Sequence, residues 1–132
     1  MTMLALADFA GMDEAAVKSK IAEDFEIPAG SLADCEIIVA YMSVGDYGCD
    51  SGAFIVFRRN GILYEVNGAH CSCHGFGEQD YSGSGGTQWQ PEAVGAVPIV
   101  TGRSDWALAC GGYDNDQAAN AARIRSHLES LT

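Results

Sequence analysis

Residues 53–66 read AFIVFRRNGILYEV and contain the strongest secondary-structure signal of the chain. Two runs rich in β-branched and aromatic residues flank the dipeptide Asn60-Gly61. The dipeptide is typical of two-residue β-hairpin turns, because both central positions of a type I′ turn require a positive φ. The sequence therefore predicts a β-hairpin with strands at 53–59 and 62–67.

A two-residue turn also predicts which side chains face each other across the hairpin. We expect one face of the hairpin to be apolar. Its cross-strand pairs are Phe57 with Tyr64 and Ile55 with Val66. On the opposite face, Arg58 and Glu65 are diagonal neighbours of opposite charge.

Residues 35–44, upstream of the hairpin, predict a further strand, because they are rich in β-forming side chains. Both faces of this strand are apolar. That pattern is typical of a central strand covered by a helix on one side and by a loop or a second helix on the other. Strict alternation predicts one face as Ile37, Val39 and Tyr41, and the other as Ile38, Ala40 and Met42.

Helices are predicted towards both ends of the chain from apolar stripes at helical spacing. The first covers residues 12–25. Its stripe consists of Val17, Ile21 and Phe25. The second covers residues 115–131, after a capping-box pattern at Asp114 and Gln117. Its stripe consists of Ala121, Ile124, Leu128 and Leu131.

These elements predict one α+β domain over residues 1–132: a small antiparallel sheet of three to four strands around a central hairpin, packed by an N-terminal and a C-terminal helix. A chain of 132 residues is long enough for one such core. The segment 93–112 has the weakest pattern. A fourth strand at 97–101 would lie at an edge, because Pro98 lacks the N–H that a central strand needs.

The chain is strongly acidic, with 18 Asp and Glu against 7 Lys and Arg and a formal net charge of −11. This charge opposes direct nucleic-acid binding, since each phosphate contact needs a cation. No apolar run has the length of a membrane span, and residues 1–8 lack the positive flank of a signal peptide. We expect a soluble cytoplasmic protein without membrane contact. Its acidic surface would serve solubility, attract a basic protein partner, or imitate nucleic acid towards a protein that binds it.

The highest density of reactive side chains is the stretch HCSCH at residues 70–74, directly after the hairpin. Thiolates and imidazoles are zinc ligands, and a closed tetrahedral site needs four of them. An extended strand points alternate side chains to opposite faces, so these neighbours could hardly surround one ion by themselves. A zinc site would combine Cys71 and Cys73 with Cys49 and His70. No other cofactor is indicated.

Two alternative interpretations of this cluster remain. Cys71 or Cys73 would be the nucleophile of a Cys/His-dependent enzyme if His70 or His74 accepted its proton, with Asp50 or Glu65 as the distant acid. Such catalytic pairs generally meet from distant positions, and no known nucleophile signature surrounds these cysteines, so a non-enzymatic role is favoured. In the structural alternative, the cysteines are small buried groups and the histidines hydrogen-bond the loop backbone. The remaining cysteines, expected in the core, are Cys35 and Cys110.

Residues 52–73, GAFIVFRRNGILYEVNGAHCSC, and residues 88–92, QWQPE, resemble a family of small proteins encoded by bacteriophages and prophages. That family has a pattern of the form LYEVNGSHCSCYGFEGQWEPE. Residues 80–87 are an insertion relative to the pattern, and His74 replaces its aromatic residue. The resemblance implies a phage-type context in the cytoplasm of a bacterial host, where small acidic proteins often act by binding host proteins. It implies no mechanism.

Charge and resemblance together predict a small acidic phage-type protein that binds a host or phage protein. Inhibition of a bacterial defence or nucleic-acid-handling complex is one role of this kind. The alternatives are a zinc-stabilised structural domain and a Cys/His-dependent enzyme. The sequence leaves the identity of the partner and the oligomeric state open.

Overall fold

The computed structural model describes residues 3–43, 51–70, 76–77, 87–94 and 117–131. Its elements are β1 (Leu4–Ala7), α1 (Glu14–Asp24), β2 (Glu36–Ser43), β3 (Ser51–Arg59), β4 (Ile62–His70), β5 (Glu92–Ala93) and α2 (Gln117–Glu129). The strands form one sheet in the order β1-β2-β3-β4-β5. The predicted α+β class is confirmed, with a central hairpin and a helix towards each end of the chain.

The hairpin has the predicted turn and register. Asn60 and Gly61 have φ values of 53° and 78°, as a type I′ turn requires. Phe57 pairs with Tyr64 and Ile55 pairs with Val66. Both strands are longer than predicted, because β3 begins at Ser51 and β4 continues to His70.

Arg58 forms an ion pair between β2 and β3 and not with its diagonal neighbour Glu65. Arg58 Nη1 donates to Glu36 Oε1 at 3.0 Å, and Glu36 is its direct partner in the register of β2 against β3. Glu65 is only 1% exposed. An arginine favours a carboxylate at the surface, where its head group stays hydrated, over one that requires the guanidinium to be buried.

The sheet is larger than the expected three or four antiparallel strands, because two short edge strands add to it. β1 pairs with β2 in parallel, and α1 provides the crossover that a parallel pair needs. β5 pairs with β4 through Glu92 and Ala93. Strands of four and two residues are too short to show a reliable period. The strand considered at 97–101 lies outside the described residues.

A helix covers each face of the sheet, as the two apolar faces of β2 indicate. The α1 layer consists of α1 and the sheet face beneath it. Its helix contributes Val17, Ile21 and Phe25, each fully buried. The α2 layer lies on the opposite face, where α2 contributes Ala121, Ile124 and Leu128. The first predicted stripe is therefore fully buried, and in the second only Leu131 is partly buried.

The side-chain faces of β2 differ from the prediction because the strand contains a β-bulge. Its register against β3 shifts between Ile37 and Val39. Ile37 therefore packs in the α1 layer with Ala40 and Met42. The α2 layer receives Ile38, Val39 and Tyr41. Strict alternation misplaced Ile37 and Ile38, since a strand that is apolar throughout gives no polar signal for an extra residue.

Aromatic side chains hold the segments after β4 against the α1 layer. The Phe25 ring stacks on Phe76 at 5.0 Å and meets Trp89 edge-on at 5.3 Å. Trp89 also stacks on Phe57 at 5.6 Å. Aromatic pairs in these geometries contribute about 0.5–1.5 kcal/mol beyond the area that they bury.

Neither of the helices described here is long and apolar enough to cross a membrane.

Candidate functional site

The predicted Cys/His site lies almost entirely outside the described residues. Cys49, Cys71 and Cys73 belong to the ranges that are not described, as does the predicted acid Asp50. His70 ends β4, where its backbone is in register with Ser51 of β3. Within the described ranges, no group of three or more His, Cys, Asp or Glu residues could hold a metal ion. The zinc site and the nucleophile stay predictions.

Glu65, the other predicted acid, is enclosed in the α2 layer. It lies across from Val56 in the register of the hairpin, and Val56 belongs to the core under α2. Burying a carboxylate costs folding free energy unless other groups stabilise it, so Glu65 is an unusual residue for this apolar layer. At 1% exposure, Glu65 contributes nothing to the acidic surface of the molecule.

Cys35 is a core residue, as predicted, but its sulfur has polar neighbours. Arg59 Nη2 donates to Cys35 Sγ at 3.0 Å, and the thiol lies 3.7 Å from Asp34 Oδ1. Burial raises the pKa of the Cys35 thiol; the Arg59 guanidinium opposes that shift, whereas Asp34 adds to it. The pKa stays above its ordinary value, so the thiolate is disfavoured. The geometry indicates a structural thiol and not a nucleophile.

A surface groove of about 430 Å³ lies between α1 and the segment at residues 27–33. We call it the α1 groove. Ala15, Ser19 and Ala22 form its helical wall, at the three- and four-residue spacing that places side chains on one flank of a helix. Ile27 and Leu32 contribute apolar surface from the other side. The groove is therefore largely apolar.

Small side chains keep the α1 groove open. Ala15, Ala29 and Ala33 line it and are exposed. Gly30 has no neighbouring atom within 4 Å of the position that a Cβ would occupy. Longer side chains at these positions would fill the groove. The sequence therefore leaves apolar surface accessible beside a helix.

The C-terminal end of α1, next to this groove, carries an unfavourable arrangement of charge. Glu23, Asp24 and Glu26 lie at the end of the helix where the carbonyl groups give a partial negative charge, and no basic residue occupies the last turn. Asp24 is neutralised by Lys20 at 3.0 Å. Glu23 and Glu26 are exposed, and neither makes an ion pair with another described residue. Two carboxylates thus add to the negative end of the helix dipole.

Glu26 is also held in an uncommon backbone conformation. It follows the C-cap residue Phe25 and has a φ of 55°. Glycine is usual at this position, because a Cβ is strained at positive φ. The Glu26 carboxylate lies against Gly77, at the place where a Gly77 side chain would be. The chain therefore keeps a carboxylate where helix stability alone favours glycine.

Charge is unevenly divided between the two sides of the sheet. Residues 13–34, which contain α1 and the segment after it, include six carboxylates and two lysines. Both lysines are bound within α1, Lys18 to Glu14 at 3.3 Å and Lys20 to Asp24. On the opposite face, α2 carries two arginines and one glutamate. The α1 layer is therefore the strongly acidic side of the described structure.

The acidic character of the chain is evident from its sequence, whereas this site is not. A signal was present, since a helix whose last turn has carboxylates and no basic residue contradicts the usual preference. The groove itself depends on how residues 27–33 return along α1, which no local pattern shows.

In comparisons with known proteins, no family model, no curated protein and no solved structure matches the chain.

Proposed function

We propose that this chain is a small, acidic, non-enzymatic phage-type protein that acts by binding a host or phage protein through the α1 layer. Inhibition of a bacterial defence or nucleic-acid-handling complex is the role that its charge suits best. The observation that carries the proposal is the pair of exposed carboxylates, Glu23 and Glu26, at the negative end of α1.

These carboxylates oppose the stability of the isolated helix. A charge of the wrong sign near a helix end typically costs about 0.3–1 kcal/mol. The positive φ of Glu26 adds to this cost. A cationic partner would relieve the electrostatic part of the cost on binding. Residues that disfavour the free fold and favour a complex are typical of an interaction surface.

The sign of the charge selects the class of partner. An acidic face repels nucleic acid and membranes with anionic lipids, and it attracts basic protein surfaces. Proteins that bind nucleic acid carry such surfaces, because they neutralise phosphates with lysine and arginine. A binding face with a net charge of the same sign as nucleic acid therefore supports an inhibitory role against a nucleic-acid-handling protein.

A pull-down from bacterial lysate tests this function. We expect the immobilised chain to recover one partner in stoichiometric amount at low salt, and less of it at moderate salt, because ions screen surface charge beyond about 10 Å at 0.1 M. The Glu23→Gln, Glu26→Gln double variant should recover less. Glu129→Gln, a matched change at the C-terminal end of α2, should recover as much as the unmodified chain. Failure to recover any stoichiometric partner at either salt concentration would contradict the proposal.

A further inference from the structure

We infer that the α1 groove binds an amphipathic basic segment of the partner protein, with its apolar side chains in the groove and its lysines or arginines against Glu23 and the C-terminal carbonyl groups of α1. This inference rests on the proposed function, since it specifies which part of a partner the α1 layer recognises. The expected ligand is a peptide segment that has an apolar side and a cationic side.

The form of the groove favours a segment of a macromolecule over a small ligand. A volume of about 430 Å³ would suffice for either. Small-molecule sites usually enclose most of the ligand surface. Here the lining residues Ala15, Ser19, Ala29 and Ala33 are themselves exposed, so the groove lies open along the surface. A ligand would be covered on one side only, as in the binding of a helix to a groove.

The lining of the groove requires an apolar contact. Ala22 and Leu32 are 8% and 2% exposed, and Ile27 is half-buried beside them. Their side chains offer no hydrogen-bonding groups to a ligand, so apolar side chains that leave water would provide the attraction. The alanines leave space for large residues of the partner. Leucine-like anchors at helical spacing fit this surface.

The charges around the groove require a cationic ligand. Lys18, the cation in its wall, is bound to Glu14 at 3.3 Å. Glu23 lines the groove and has no ion pair with another described residue. The final carbonyl groups of α1 add negative potential at the same end. A lysine or arginine of the partner placed there would meet a carboxylate and the helix dipole together.

The described surfaces of a second copy of this chain fit the groove less well. The apolar residues of α2 are buried, and its exposed flank presents Arg123 and Ser126 without a large apolar side chain. Among the residues described, Ile62 at the hairpin turn is the exposed large hydrophobic, at 47%. The arginines nearest to it in the chain are bound elsewhere, Arg58 to Glu36 and Arg59 to Asp34. Neither surface combines an apolar anchor with an available cation.

Fluorescence anisotropy with a synthetic probe tests the inference. The probe is a labelled helical peptide of leucine and lysine, about 14 residues or roughly 21 Å long, with leucines at i, i+3, i+4 and i+7. We expect saturable binding to the unmodified chain that weakens with added salt. An analogue with glutamine in place of lysine should bind at least about tenfold more weakly, because it lacks the charge complementarity.

Two substitutions locate the binding site. Ala33→Phe should fill the groove and weaken binding of the lysine peptide at least about tenfold, a loss typical of blocking an anchor pocket. Ala16→Phe is the matched control, since Ala16 is an exposed α1 residue that does not line the groove. It should leave the affinity unchanged. Circular dichroism of both variants would confirm that each is folded.

Several results would overturn the inference. They are the absence of saturable peptide binding, equal affinities of the lysine and glutamine peptides, and equal effects of Ala33→Phe and Ala16→Phe. A dimer of the unmodified chain that Ala33→Phe converts to a monomer would identify a second copy as the occupant. If the unmodified chain and Ala33→Phe capture the same lysate partner equally, the groove inference fails and the proposed function stands. If neither captures any partner, the proposed function itself fails.

Discussion

Cys35 lies where the end of the hairpin meets the segment before β2, and its thiol is governed by opposing effects. Burial raises its pKa, while the Arg59 guanidinium, 3.0 Å from Sγ, lowers it. Arg59 also donates to the Ser31 carbonyl at 3.0 Å and to Asp34 at 3.2 Å. The arginine thus links the hairpin to residues 31–35. Its role at this site is to connect elements and not to activate the sulfur.

The raised pKa of Cys35 predicts a pH dependence of stability. A folded-state pKa above the unfolded value, about 8.5 for cysteine, favours the protonated thiol in the fold. The stabilisation is complete below the unfolded pKa and is lost as pH rises through the folded pKa. The difference in unfolding free energy between the unmodified chain and Cys35→Ala should therefore decrease in alkaline solution. Urea titrations over a pH series measure it, and a constant difference would contradict the shift.

Gly68 allows the aromatic rings of Phe25 and Phe76 to pack closely against β4. A Cβ at this position would lie 2.8 Å from Phe76 Cδ1 and 3.3 Å from Phe25 Cζ. We expect Gly68→Ala to destabilise the fold by about 1–3 kcal/mol, because the stacked rings have to shift. Urea denaturation measures the loss. In a Phe76→Leu background the same substitution should cost less. An equal cost in both backgrounds would show that the ring contact is not the reason.

At the scale of the element, α1 has a favourable start and an unfavourable end. The Asp13 side chain caps the first turn by accepting from the Ala16 N–H at 2.8 Å. The last turn ends in carboxylates, and Glu26 follows it at positive φ. The contrast within one helix separates residues that stabilise the fold from residues that we assign to binding.

Glu26→Gly should therefore stabilise the protein while weakening capture of the partner. We expect a gain of about 0.5–1 kcal/mol in unfolding free energy from the relief of backbone strain at the residue after the C-cap. Glu26→Ala is the matched control, because it removes the charge and keeps the Cβ. Chemical denaturation of both variants separates the two effects. Equal stability of the glycine and alanine variants would contradict the strain argument.

At the scale of the whole molecule, β2 belongs to both layers of the core. It contributes Ile37, Ala40 and Met42 to the α1 layer and Ile38, Val39 and Tyr41 to the α2 layer. Loss of packing under α2 should therefore also destabilise the α1 layer, because β2 is part of both layers. The acidic face and the opposite helix are thus expected to depend on each other for stability.

Leu128→Ala tests this coupling. Leu128 is fully buried under α2, so its truncation should cost about 2–5 kcal/mol. Trp89 reports on the other layer, since its ring packs on Phe25 and Phe57. In a Trp106→Phe background, the fluorescence midpoint of Trp89 and the helical circular dichroism midpoint should move together in urea. A shift in the helical signal without a shift in fluorescence would show that the layers unfold independently.

The sequence alone was sufficient to predict the hairpin, its turn and register, both helices and most of the buried stripe on each. These features depend on residues close in the chain: the φ preference of Asn60-Gly61, the two-residue alternation of the strands and the spacing of apolar residues along each helix. It also determined the acidic net charge, which is a property of composition alone. Nothing in these features required knowledge of distant contacts.

The tertiary structure alone decided the parallel addition of β1, the bulge in β2, the bond from Arg58 to Glu36 and the α1 groove. Each of these depends on contacts between residues far apart in the chain, where several pairings bury similar apolar surface. An apolar strand accepts a bulge without any change in pattern, and a groove exists only between elements that already pack together. The acidic end of α1 can be recognised in the sequence, but its position beside an open apolar groove is a consequence of the fold.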